Sequence, residues 1–157
     1  MGERSRAILA PGASRRARRG ACVRPEDTAT LVKYRLEQAQ VALDDAQYLL
    51  DGRRSPQSII NRAYYAMFYA VLALLQKTGE IPSKHTGAVG LFDTQFVVPG
   101  LLPKDLSRDL HKAFSLRQVS DYKVRERLTL AKAEEVLASA TRFVGAIRRH
   151  MAGTVVD

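Results

Sequence analysis

The sequence predicts an all-α protein, an antiparallel bundle of about five helices. Three observations carry this reading. From residue 28 onward apolar residues recur at steps of three and four, no stretch alternates apolar and polar residues as a strand would, and short breaks containing glycine or proline separate the periodic stretches. A chain of 157 residues with 46% hydrophobic residues has the size and apolar content of one globular core.

The first helix is predicted over Thr30 to Leu50, where Val32, Leu36, Ala39, Leu43, Ala46 and Leu50 make one apolar seam that stops at Asp51-Gly52. The second opens at Ser55-Pro56, a capping hydroxyl followed by the residue best tolerated at the first helical position, and runs to Lys77 before Gly79. Ile60, Ala63, Met67, Ala70 and Leu74 form one seam on it, and Tyr64, Phe68, Val71 and Leu75 the next. It is therefore apolar on most of its circumference and is expected at the centre of the bundle. Small-residue stripes, Ala39, Ala42 and Ala46 on the first helix and Ala63, Ala66, Ala70 and Ala73 on the second, allow the two to approach closely as a hairpin. The third helix is predicted near Thr86 to Val97, ending at Val98-Pro99-Gly100. The fourth begins near Pro103 and carries Leu106, Leu110, Phe114 and Arg117. The last runs from about Thr129 to Arg149, with Ala133, Val136, Leu137, Ala140, Phe143, Val144 and Ile147 inward.

Three regions are expected: an arginine-rich disordered leader over 1–27, the helical bundle over 28–152 and a short flexible tail over 153–157. The net charge of +9 divides unevenly, because seven arginines against three acids give the leader +4, and 18 cations against 13 acids give residues 28–157 +5. No aromatic or structured element accompanies the leader arginines, so they read as a solvated tail or upstream translated sequence rather than a nucleic-acid reader. No apolar run reaches the roughly 20 residues of a membrane span, and the leader's Ala7 to Ala10 patch is too short for a secretory signal. The single cysteine, Cys22, allows no intrachain disulfide. A cytoplasmic location without membrane contact is expected.

Metal and cofactor chemistry are not expected. His85, His111 and His150 stand apart without further ligands at metal spacing, and no Gly-rich turn joins a strand to a helix as a phosphate loop would. The polar stretch Phe114 to Tyr122 is where chemistry is concentrated. Arg117 and Asp121 share a helical face and pair if the helix continues. In the alternative, Arg117 grips a phosphate bidentately while Tyr122 offers its hydroxyl. Asn61 and Arg62, on the first turns of the second helix, either line that cleft or face water. Tyr64, Tyr65 and Tyr69 read as packing residues, with base stacking as the alternative.

Three separated segments resemble the HEPN family, in particular its branch of small uncharacterised proteins: Asn61 to Leu75 (NRAYYAMFYAVLALL), Ser83 to Phe92 (SKHTGAVGLF) and Arg117 to Tyr122 (RQVSDY). Their order and spacing match over roughly Leu31 to Met151. The resemblance implies a helical bundle that forms a homodimer. It also implies the toxin-like half of a toxin-antitoxin pair whose partner is a minimal nucleotidyltransferase, and RNA cleavage without a metal at an arginine followed after four to six residues by a histidine. Carried onto this chain the arginine is Arg117, and the histidine's place is taken by Tyr122, Lys123 or Val124 according to the spacing.

Histidine titrates near neutrality and moves protons, whereas a tyrosine with a pKa near 10 mainly donates a hydrogen bond. The primary expectation is therefore binding of RNA or a nucleotide, and of a partner protein, through Arg117, Asp121 and Tyr122, with Asn61, Arg62 and His85 nearby. Tyr122 is also a candidate for modification by the nucleotidyltransferase. Two alternatives stand beside this: an active metal-independent endoribonuclease using Arg117 with Tyr122 or His85, and a non-catalytic helical interaction module. For His85 alone, a cap or structural hydrogen-bond donor is the leading reading.

Overall fold

The computed structural model describes residues 24–118 and 128–153. Five helices make up the bundle: α1 (Pro25–Asp51), α2 (Pro56–Thr78), α3 (His85–Phe92), α4 (Lys104–Arg117) and α5 (Leu130–Gly153). No strand occurs among the described residues. The all-α bundle expected from periodicity is thus the fold observed.

α1 starts earlier than its apolar seam predicts. Pro25 occupies the first helical position and Glu26 and Asp27 follow in the first turn, where carboxylates suit the exposed N–H groups and the positive end of the helix dipole. Its other end is closed by Arg53, which adopts a left-handed conformation at φ 49°, while Gly52 beside it stays at φ −76°. The amide of Arg54 bonds to the Leu49 carbonyl at 2.8 Å and that of Arg53 to Leu50 at 2.9 Å, so the last carbonyls of the helix are satisfied. α2 ends the same way, with glycine where the left-handed residue is needed, at Gly79 with φ 82°.

α2 is the central helix and touches α1, α3, α4 and α5. Its buried residues fall on both predicted seams, and Ala63, Ala66, Ala70 and Ala73 are fully buried, as are Ala39, Ala42 and Ala46 of α1. By length and composition alone α2 could cross a membrane, yet 61% of its apolar window is buried by the other helices, as befits the centre of a bundle. α5 lays its predicted inner face on this hairpin, with Phe143 against Phe92 of α3 at 5.4 Å between ring centres. The Arg148 guanidinium donates to the Leu36 carbonyl of α1 at 2.9 Å.

The third predicted helix proves to be two structures. α3 ends at Phe92 and passes into a π turn, Asp93–Val97, closed by the Val98 amide on the Asp93 carbonyl at 2.8 Å. Asp93 ties this turn to α4: one carboxylate oxygen accepts from Ser107 Oγ and the other bonds His111 Nε2, both at 2.6 Å. α5 continues to Gly153, one turn beyond the predicted Arg149.

Two outcomes test this packing. Arg53→Gly relieves the left-handed arginine and is expected to raise stability by about 1 kcal/mol. Ala66 sits one turn beyond Arg62, whose guanidinium reaches Asp45 of α1, so Ala66→Leu forces the hairpin apart and is expected to cost about 1–3 kcal/mol. Urea unfolding of both variants beside the wild type checks the opposite signs.

Candidate functional site

The buried core among the described residues is made of aliphatic, methionine and phenylalanine side chains with one exception that carries a side-chain oxygen, Tyr64. A buried hydroxyl without a partner is costly, and that of Tyr64 meets His85 Nδ1 at 2.9 Å. His85 is the first residue of α3, and its ring lies flat on Phe68, one turn along α2 from Tyr64, with ring centres 4.2 Å apart and planes 9° from parallel. The imidazole is thereby clamped against α2.

Arg117, the last residue of α4, closes the cluster. Its guanidinium carbon stands 5.0 Å from the ring centre of Tyr64 and 5.1 Å from that of Tyr65, a cation held on two aromatic faces. One terminal nitrogen donates to the Tyr65 hydroxyl at 3.4 Å and the other reaches His85 Nδ1 at 3.5 Å. A cation at the carboxyl end of a helix suits its dipole, and Gln57 of α2 donates to the Arg117 carbonyl at 3.5 Å. No carboxylate of the described residues lies within ion-pair distance of this arginine.

The proton positions follow from the donor inventory. An arginine only donates, so Nδ1 of His85 is the accepting nitrogen, the neutral ring carries its proton on Nε2, and the Tyr64 hydroxyl donates. The titration shifts agree. Burial pushes the Tyr64 hydroxyl up to about 12 against a smaller downward pull from Arg117, so it keeps its proton. Burial and then the Arg117 charge hold His85 below the ordinary histidine value of 6.5, so it is neutral at pH 7.

Of the residues singled out by sequence, Arg117 and His85 come together directly. His85, expected as a cap or a structural hydrogen-bond donor, does not cap α3; its Nδ1 instead accepts from the Tyr64 hydroxyl and faces Arg117. Arg62 flanks the site, with its guanidinium carbon 5.7 Å from the Tyr65 ring centre and its Nε 3.6 Å from Asp45. That Nε is buried without a hydrogen bond. Asn61 is half-buried on the same turn. Asp121 and Tyr122 lie outside the described residues. Tyr64 and Tyr65, read as packing residues, belong to the cluster. Two adjacent tyrosines on a helix necessarily point in directions about 100° apart, and here that divergence lets Arg117 settle between them. Among the described residues no three histidine, cysteine or acidic side chains gather in a way that would hold a metal ion.

The low His85 pKa has a consequence for stability. The unfolded chain takes up this proton near pH 6.5 and the folded chain only at lower pH. The contribution is therefore fully present above 6.5 and is lost as pH falls through the folded value. Urea midpoints of His85→Gln are expected to fall less between pH 7.5 and pH 5 than those of the wild type; equal falls would refute the shift.

Residues 32–150 match the model of the HEPN domain. The chain is 34% identical over 119 residues to a UPF0332 protein of Thermotoga maritima, an alignment covering 76% of this chain and 89% of the relative. It is 31% identical over 114 residues to the Methanocaldococcus jannaschii protein named "Putative toxin MJ0605", covering 73% and 84% of the two chains. A second protein of that organism, "Putative toxin MJ0142", is 27% identical over 116 residues, covering 74% and 78%. The matched span runs from the first turns of α1 nearly to the end of α5 and includes every residue of the Arg117 cluster, and the chain belongs to the HEPN domain family.

Proposed function

We propose that this protein is the toxin-like half of a two-component pair and that the Arg117 cluster binds a phosphate of RNA or of a nucleotide. One observation carries the reading: a guanidinium seated on two tyrosine rings, with no carboxylate of the described residues to neutralise it. Its contacts to Tyr65 and His85 are long, at 3.4 and 3.5 Å, and leave donor capacity for the two oxygens of a phosphate. Tyr65 and Tyr69, half-buried with ring centres 5.9 Å apart, supply aromatic surface beside it for a base. The toxin-like names of two relatives support the class of protein. The proposed partners are a minimal nucleotidyltransferase and a second copy of the chain, and Tyr122 is the candidate acceptor for modification by the former.

A second reading, metal-independent RNA cleavage, draws on the position of His85. The family's motif histidine is absent from the chain after Arg117, but an imidazole stands 3.5 Å from that arginine all the same. Neutral at pH 7, the imidazole is fit to accept the proton of a ribose 2′-hydroxyl as that oxygen attacks the adjacent phosphorus, once the Tyr64 hydroxyl has turned its proton away from the Nδ1 lone pair. The Tyr64 hydroxyl would then accept from the imidazolium so formed, and Arg117 would hold the charge gathering on the phosphate oxygens. The P–O5′ bond breaks and the departing oxygen takes the proton from the imidazolium, leaving a 2′,3′-cyclic phosphate, a 5′-hydroxyl and a neutral imidazole.

Labelled single-stranded RNA, titrated in the presence of chelator, separates the two readings. Arg117→Ala is expected to weaken binding by about tenfold or more, corresponding to roughly 1.4 kcal/mol for a charge-assisted contact, and Arg117→Lys to restore only part of it. Cleavage by the wild type that both Arg117→Ala and His85→Gln abolish would establish the ribonuclease. Binding with no cleavage would leave the phosphate-binding role alone, and unchanged binding in Arg117→Ala would remove both readings.

A further inference from the structure

The outward face of α1 carries an exposed pattern, at one end of which the Arg35 guanidinium carbon lies 5.9 Å from the Tyr34 ring centre. Tyr34, Val41 and Tyr48 lie seven residues apart and are 52%, 57% and 80% exposed. Single exposed apolar residues need no explanation, but three at this interval stay nearly in line on a helix and form a seam of the kind that receives a second helix. Glu37, Asp44 and Asp51 form a second row, also seven apart. Each sits three residues beyond a member of the seam, and the first two sit four before the next. Each row therefore runs for about 21 Å at 1.5 Å per residue, the two side by side.

Charge decides what would fit there. α1 holds six acids against two cations, in a chain whose net charge is +9. Asp44 and Asp51 are met only by the side-chain amides of Gln40 and Gln47, at 2.9 and 2.8 Å, and no cation of the described residues lies within ion-pair distance of either. Glu37 has Lys33 at 3.9 Å, both well exposed. A phosphate backbone is repelled by such a row. So is a second α1 laid antiparallel about Val41, since Glu37 of each copy would face Asp44 of the other.

We propose that this face of α1 docks a cationic amphipathic helix of a partner protein, apolar residues on Tyr34, Val41 and Tyr48, lysine or arginine on Glu37, Asp44 and Asp51. The surface is separate from the Arg117 cluster, which α2, α3 and α4 build, so this inference does not rest on phosphate binding.

The probe is a fluorescent three-heptad peptide with leucine at the seam positions and lysine elsewhere, compared with its counterpart bearing glutamate for lysine, by anisotropy against the full chain. The lysine peptide is expected to bind at least about tenfold more tightly than the glutamate peptide. Val41→Asp and Tyr48→Ser, both at exposed positions, are expected to cost it a similar factor with unchanged helical circular dichroism, and Asp44→Lys to shift preference toward the glutamate peptide. Equal affinity for the two peptides, or affinity untouched by Val41→Asp and Tyr48→Ser, would overturn the proposal. So would a wild-type dimer that Val41→Asp dissolves, which would place a second copy on the face.

Discussion

The bond between the Tyr64 hydroxyl and His85 Nδ1 is the constraint on which the rest of the site depends. A tyrosine in an otherwise apolar core must place its oxygen against a partner, and the start of α3 supplies one. Meeting that need draws His85 over Phe68, fixes which ring nitrogen is free of a proton, and leaves beside it an accepting edge toward which Arg117 turns. The same hydroxyl that satisfies the core thus sets the electrostatic character of the surface above it. The arginine in turn lowers the affinity of the imidazole for a proton, so the two basic groups coexist only because one of them stays neutral.

Much of the fold is legible in the sequence because it is written in local period. The two seams of α2, the inner face of α5 and the alanine stripes of the hairpin are all recoverable from steps of three and four, and all but the half-buried Phe68 are buried as the pattern demands. Where the pattern misleads, backbone chemistry outside the period is responsible. The opening turn of α1 has no apolar residue in its seam, and only Pro25 with the two acids after it announces the helix. The stop after α1 falls on an arginine because the hydrogen bonds of the closing turn require a left-handed residue one place beyond the glycine.

The site is less legible than the fold. Arg117 stands out in the sequence through its resemblance to a motif, but its neighbours come from positions 52 and 32 residues earlier. No spacing rule connects residues on three different helices. Tyrosines at helical spacing read first as packing, and Tyr64 is packed by its ring while its oxygen is hydrogen-bonded to the site. Electrostatics shows a similar division. The total charge conceals an acidic first helix, which a sum over the whole chain cannot reveal.

The π turn at Asp93–Val97 has a bearing on how this chain tolerates change in length. Five residues per hydrogen-bonded step in place of four amounts to one residue more than an α-helix would use over the same distance. The surplus is held by the turn's own Val98–Asp93 bond and, from outside, by Ser107 and His111 on the Asp93 carboxylate. That makes the turn a reservoir of a single residue, and Phe96 and Val97, both buried within it, are the core residues that a change in its length would disturb. A change of one residue in the length of this turn is therefore felt in this chain through its aromatic anchor, even where the helix itself would accommodate it.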